Sequence, residues 1–228
     1  GCGKSTLAFA IARLHKAPAL ISEGEILYKG TDILKMNDKA LRAFRWNETS
    51  VVFQSAMNSL NPVITIGEQL TDVILAHKKV TPQQAHDKAV ELLAIVGMPA
   101  DRLKSFPHQL SGGMRQRVVI AIALALEPKL IIMDEPTTAL DVVVEREILN
   151  ELYDLKKKFG FSILFISHDL SLMGEIADRI GVMYAGNLIE IGNAEKVFNN
   201  PEHPYTKGLV ASFPSIHGPK ERLYGIPG

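Results

Sequence analysis

The stretch Leu130–Asp141, reading LIIMDEPTTALD, constrains the fold more than any other part of the chain. Leu130 to Met133 form a short apolar run bounded by Pro128 and Pro136. A run that short, rich in Ile and apolar on both faces, predicts a buried central strand rather than a helix. It ends in adjacent carboxylates, Asp134 and Glu135, at the carboxyl end of the strand, where ligands bind in open α/β sheets. Strand alternation is expected to send one carboxylate to each side, so that the two take different tasks. A lone acid here would be explained as a helix cap; a pair directly after a buried strand is less easily explained that way.

A second constraint stands at the start. Gly1-Cys2-Gly3-Lys4-Ser5-Thr6 leads into the apolar-periodic run Leu7–Leu14 and matches the latter part of the phosphate-binding pattern G-x-x-x-x-G-K-[ST]. Glycines let backbone N–H groups turn inward around an anion, and the following helix adds its positive end. Lys4 offers a mobile charge for the β- and γ-phosphates and Ser5 a hydroxyl for Mg²⁺. The alternative is a plain helix N-terminus. The chain opens at Gly1 inside this loop, without an initiator Met, and stops at Ile226-Pro227-Gly228. It is therefore expected to be a fragment clipped at both ends.

Between these landmarks, Gly24–Tyr28 and Gly30–Ile33 predict a small antiparallel subsheet, and Ser50–Phe53 a short strand followed by Gln54. Gln54 is either a solvated loop residue or a side-chain carbonyl within reach of Mg²⁺ and an attacking water. From Asn58 to Pro107 the pattern turns helical. Thr81-Pro82-Gln83-Gln84 is a capping box with Pro at the first helical position. Ala85, Ala89, Leu92, Leu93 and Val96 follow on one face, closed by Gly97. Met57–Leu60 and Asn61-Pro62, at the start of this insertion, form a mixed polar and apolar loop suited to docking.

Leu110-Ser111-Gly112-Gly113-Met114-Arg115-Gln116-Arg117 precedes Val118–Leu126, a run hydrophobic all round and so a buried helix. Its amino end carries bare N–H groups that attract an anion. Capping by Ser111 explains the serine but not the paired glycines and flanking arginines. Thr137–Asp141 reads as a polar loop and Val142–Phe159 as an amphipathic helix, its end at Lys156-Lys157-Lys158 complementing the dipole. Phe161–Ile166 is a second buried strand, with Ser167-His168-Asp169 at its carboxyl end. His168 is either structural or a γ-phosphate contact. Ile180–Tyr184 and Leu188–Ile191 make a hairpin through Ala185-Gly186-Asn187. Beyond Gly192 the chain is Pro-, Asn- and Gly-rich, as expected of a peripheral extension.

Composition narrows the partners. Lys+Arg and Asp+Glu are both 25, so no overall field recruits nucleic acid or an anionic membrane. The single cysteine, Cys2, excludes an internal disulfide framework or cysteine metal cluster within these 228 residues. The longest purely apolar run, Val118–Leu126, falls far short of the roughly 18 residues a membrane span needs. With no signal peptide visible, a cytosolic location is expected, membrane contact being made through a partner.

Taken together the motifs resemble those of the nucleotide-binding subunit of an ABC transporter. Lys4-Ser5 matches the end of the Walker A loop, Gln54 the Q-loop, Ser111-Gly112-Gly113 the signature, Asp134-Glu135 Walker B, Thr138–Asp141 the D-loop and His168 the switch histidine. Their order along residues 1–192 makes the combination specific. Met114 departs from the usual Gln of the signature, and Thr138 from the common Ser. Asn200-Pro201-Glu202-His203-Pro204-Tyr205-Thr206 and Arg222–Gly228 resemble the C-terminal extension of dipeptide/oligopeptide and nickel importer ATPases.

The resemblance implies an α/β P-loop NTPase fold: a mostly parallel central sheet, a small antiparallel β subsheet and an inserted α-helical subdomain. It divides the chain into an ATPase core at 1–57 and 108–192, a helical subdomain at 58–107 and an extension at 193–228. It implies ATP and Mg²⁺ as cofactors. Gly1, Cys2, Gly3, Lys4, Ser5, Thr6, Ser111, Gly112, Gly113 and Asp141 would contact nucleotide. Ser5, Gln54 and Asp134 would contact the metal, and Glu135, His168 and Gln54 would act in hydrolysis. The implied partners are a second ATP-binding subunit, identical or not, transmembrane permease subunits and, indirectly, a substrate-binding protein, at the cytoplasmic face of the membrane; nucleic acid is not among them. Alternatives are the same machinery importing nickel or oligosaccharides, a non-transport ABC ATPase, or a catalytically silent partner. The short 58–107 insertion and neutral charge argue against DNA- or ribosome-acting members, and intact Glu135 and His168 against a silent one.

Overall fold

The structure is a computed structural model that describes residues 2–54, 59–137 and 140–212, the side chains of Trp46 and Ser171 excepted. Its internal contacts divide it into two units, Leu7–Ile166 and Gly1–Thr6 together with Ser167–Gly228.

The Leu7–Ile166 unit is built on a three-stranded parallel sheet in the order β3 (Thr49–Val52), β4 (Leu130–Asp134), β5 (Ser162–Ile166). Its central strand is the run that the sequence singled out, and Ile131, Ile132 and Met133 are fully buried. Burying each such side chain contributes about 1.5–3 kcal/mol. The register pairs Val52 with Met133 and Asp134 with Ile166, so the three carboxyl ends lie side by side. Ala8 of helix α1 (Lys4–Ile11) packs against Ile132 and Ile166, with Ile11, Val51 and Leu164 around them. A two-stranded antiparallel ladder, β1 (Leu27–Tyr28) and β2 (Thr31–Asp32), is shorter than the sequence predicts because Ile33 already starts a 3₁₀ turn capped by Asp32. Helix α2 (Asp38–Ala43), capped by Asn37, closes that corner over the cluster Ile33, Leu41 and Phe44.

The helical stretch contains α3 (Ile66–His77) and α4 (Pro82–Ile95), each opened by a complete capping box, Thr65 with Glu68 and Thr81 with Gln84. They bury Ile66, Leu70 and Ile74 against Ala85, Ala89, Leu92 and Leu93, the face predicted for α4. Of the predicted docking loop, Met57 and Asn58 lie outside the described residues, while Asn61 accepts the Val63 N–H at 3.1 Å in a local turn. Helix α5 (Gly112–Leu124) is buried along most of its length, from Val118 to Leu124. Helix α6 (Val142–Phe159) runs between its Asp141 cap and Gly160, whose φ of 68° terminates it.

In the second unit, helix α7 (Leu170–Ile176) is followed by the antiparallel hairpin β6 (Arg179–Tyr184) and β7 (Asn187–Asn193). Beyond Gly192, in the segment expected as a peripheral extension, the chain forms two short helices, α8 (Ala194–Asn199) and α9 (Pro204–Ala211). Asn193 and His203 cap them through side-chain acceptors, and Pro204 sits at a first helical position, so part of the Pro- and Asn-rich composition serves as helix-start signals. A Cβ on Gly174 would lie 2.9 Å from Phe198 Cζ, showing how closely α7 approaches α8. No helix among the described residues is long and apolar enough to cross a membrane.

Candidate functional site

In the Leu7–Ile166 unit the predicted groups gather at the carboxyl edge of the sheet. Asp134 closes β4 and is 3% exposed. Its Oδ1 has no hydrogen-bond partner among the described residues. A buried carboxylate oxygen left this way favours a cation or an ordered water beside it. Glu135 does not continue the alternation expected of a strand. Its φ is 46°, the left-handed region, and its N–H donates to Ile166 O at 2.9 Å. Such a conformation in a non-glycine residue carries strain of about 1–3 kcal/mol and is found preferentially at functional sites. The result is still a division of environments, Asp134 buried and Glu135 only half-buried.

Gln54, beyond the neighbouring strand, is exposed and donates Nε2–H to Glu135 Oε2 at 3.2 Å. Parallel pairing of β3 with β4 brings residues 81 positions apart in the chain into this contact. An amide so placed orients the carboxylate without neutralising it.

The signature residues sit at the start of α5. Ser111 is the cap, its Oγ accepting the Met114 N–H at 3.3 Å, and the N–H groups of Gly112 and Gly113 lie in the first turn. Gly113 has a packing reason as well: a Cβ there would stand 2.8 Å from Val144 Cγ1 on α6. Asp141 caps α6, accepting the Val144 N–H at 3.0 Å, so it acts first as a helix cap. Thr137 is tied to Glu145 by a side-chain hydrogen bond, while Thr138 lies outside the described residues.

Arg117, one of the arginines that the sequence associated with an anion, has a different role. Its guanidinium pairs with Glu151 of α6 and donates to Val96 O, at the end of α4, at 2.9 Å. It ties α4, α5 and α6 together rather than facing the helix start. Sequence reasoning had no means of finding Glu151, which is 34 residues away.

In the second unit Gly3, with φ of 93°, turns the chain into α1, whose first turn holds Lys4, Ser5 and Thr6. Lys4 is half-buried, with Nζ 3.7 Å from Cys2 Sγ, and Ser5 and Thr6 are exposed. Unsatisfied N–H groups at such a helix start, with a lysine beside them, suit a phosphate. Gly1 lies outside the described residues. His168 is exposed just before Asp169, the cap of α7, whose own N–H donates to Ser167 Oγ at 2.9 Å. Clefts of about 550 Å³ beside Gly174 and Phe198, and about 450 Å³ beside Arg42 and His77, contain none of these groups.

Each unit has its own chemistry: the helix start with Lys4 suits phosphate oxygens, while the buried Asp134 suits a hard cation and the oriented Glu135 a water nucleophile. Residues 1–138 match the family described as ABC transporter, and residues 189–228 the oligopeptide/dipeptide transporter C-terminal region. Oligopeptide transport ATP-binding protein OppD of Bacillus subtilis is 47% identical over 100% of this chain and 65% of its own length. Dipeptide transport ATP-binding protein DppD of the same organism is 44% identical over 95% of this chain and 65% of its own. The chain thus spans about two thirds of the length of these curated relatives, 65% in each case. Among solved structures, the dimeric post-hydrolysis state of the ATP-binding cassette MJ0796, bound to ADP and Pi, superposes with a TM-score of 0.73. It is 28% identical, the match covering 85% of this chain and 81% of that one. On a family match running through the phosphate loop and the carboxylate pair, and relatives this similar over the whole sequence, the chain belongs to the ABC transporter family.

Proposed function

We propose that this chain is the ATP-hydrolysing part of an importer for di- or oligopeptides and works at an interface between two ATP-binding subunits. The observation that carries the reading is the Gln54–Glu135 hydrogen bond beside the buried Asp134 at the carboxyl edge of the parallel sheet. The peptide class rests on the names of the relatives and on the C-terminal match.

Lys4 and the N–H groups that open α1 bind the β- and γ-phosphates. Glu135, held by Gln54, polarises the attacking water, and His168 steadies the γ-phosphate. Ser111 and the N–H groups of Gly112 and Gly113 act on the nucleotide bound by the partner subunit, meeting charge as it spreads in a loose transition state. Asp141, beyond its capping role, contributes from the same side. Removing one such positioned donor typically lowers the rate by about 10²–10³.

Each of the three donors is of a type that Mg²⁺ takes. Asp134 has an orphaned, buried Oδ1, and the Ser5 hydroxyl and the Gln54 carbonyl are hard oxygen ligands. Gln54 spends its Nε2 on Glu135, which leaves Oε1 as its group for a cation. When bound, the ion offsets negative charge on the β- and γ-oxygens.

Closure around ATP would move the 58–107 helices with the signature and Gln54 with the γ-phosphate, and that motion would be relayed to permease subunits at the cytoplasmic membrane face. A substrate-binding protein supplies the solute on the other side. The test is purification of the intact protein with its membrane partners, ATP hydrolysis measured with and without added peptides. Peptide-stimulated hydrolysis is expected; hydrolysis stimulated by nickel or an oligosaccharide, and not by peptide, would assign a different cargo.

A further inference from the structure

The second unit holds a connected path from the phosphate loop to the C-terminal helices. The turn of the β6–β7 hairpin lies against the loop: Gly186 N–H donates to Cys2 O at 3.2 Å. A Cβ on Gly3 would stand 3.7 Å from Met183 Cε and 3.8 Å from Gly186 Cα, ordinary contact distances. The turn residues Ala185 and Gly186 are both left-handed, with φ of 48° and 84°, the geometry of a two-residue hairpin turn. A register shift between Val182 and Met183 leaves Ile189 of β7 as the extra residue, a bulge just before the turn.

The far side of the same hairpin carries the C-terminal helices. The Tyr184 ring lies 4.5 Å from that of Tyr205 on α9, tilted by 44°. Glu190 of β7 accepts the N–H of Glu202 at 2.8 Å and of His203 at 3.0 Å, fixing the entry to α9. Lys196 of α8 pairs with Glu202 at 2.7 Å. The helices are thus pinned to the hairpin at Tyr184 and Glu190, and the hairpin to the loop at Gly186.

We propose that residues 194–212 are a positioning element for nucleotide binding, in which Tyr205 and Glu190 hold the hairpin turn so that Gly186 fixes the Cys2 carbonyl of the phosphate loop. This rests on the reading of residues 1–6 as that loop and gives a task to described residues within the C-terminal region matched at 189–228. The carbonyl of Cys2 must point away for its neighbours' N–H groups to face an anion, and a donor behind it holds it there. Tyr205 is a positioning residue and touches no phosphate.

The experiment measures affinity for a fluorescent ATP analogue and steady-state hydrolysis in the intact protein. Tyr205→Ala is expected to weaken affinity and raise KM by about three- to tenfold, the scale of one aromatic pair, with kcat unchanged. Tyr205→Phe, which keeps the ring, restores wild-type KM. Glu190→Ala, which frees the entry to α9 by a different contact, repeats the KM rise and decides the matter should Tyr205→Ala not fold. Wild-type KM in both folded variants, or in Glu190→Ala alone when it is the only folded one, overturns the proposal. Absence of nucleotide affinity in the wild-type protein would overturn the reading of the loop instead.

Discussion

Gln54 Nε2 lies 3.2 Å from Glu135 Oε2, an amide from the end of one strand holding a carboxylate at the end of its neighbour. Neither residue has a regular backbone to fix its side chain: Gln54 is in a turn and Glu135 is left-handed. The contact is therefore one restraint on where the carboxylate points. Gln54→Ala is expected to lower kcat about tenfold or more, the worth of one hydrogen bond to a charged group, with a smaller effect on KM. Steady-state hydrolysis by the intact protein reads both; an unchanged kcat would remove Gln54 from that role.

Gly113 faces Val144 with 2.8 Å between Cγ1 and the position of a Cβ. Val144 is β-branched and stiff at χ1, so it does not swing away freely. Gly113→Ala should destabilise by about 1–3 kcal/mol through overpacking. Val144→Ala in the same chain should recover most of that loss. A double-mutant cycle in denaturant measures the coupling, and additive effects would contradict the close approach.

Arg117 joins Val96 O and Glu151, and Gly97 leaves its guanidinium room, since a Cβ there would stand 3.0 Å from Nη1. Arg117→Ala leaves a part-buried carboxylate and a carbonyl without their donor, at a loss of about 1–3 kcal/mol. Both bonds leave from the one nitrogen Nη1, so Arg117→Lys, whose ammonium carries three donors, should recover part of that loss. Melting temperatures of the variants test this ordering.

Glu48 gives a pH signature. The Lys29 ammonium, at 2.9 Å, and the Tyr28 hydroxyl, at 2.7 Å, hold its carboxyl below the usual glutamate value of 4.5. The folded value is depressed, so the stabilisation is full above about pH 4.5 and is lost as pH falls through the lower folded value. Glu48→Gln should flatten the decline of melting temperature below that pH, while an unchanged slope would contradict the pairing.

Much of the architecture was legible in local pattern. Four apolar residues between prolines located β4, and Thr81 with Gln84 located the start of α4. Thr65 and Glu68 bear the same signal, so the start of α3 was open to the same argument. The C-terminal helices were obscured because Asn, His and Pro signal both irregular chain and helix starts, and only the following residues decide. The motif residues themselves were visible as types at spacings. Their relations were not: the left-handed φ of Glu135, the contact of Gly113 with Val144, and the turning of Arg117 toward Glu151 depend on chain segments 31 or more residues apart or on how the strand ends against β5.

If Glu135 activates water at a site completed by a second subunit, ATP-dependent light scattering of the intact Glu135→Gln protein reads both parts at once. A stable dimer in ATP is expected, with phosphate release at least about 10²-fold slower than wild type, and no such dimer when Ser111→Arg is added. Wild-type hydrolysis by Glu135→Gln, or full-speed hydrolysis by the unaltered protein as a strict monomer, would contradict that assignment.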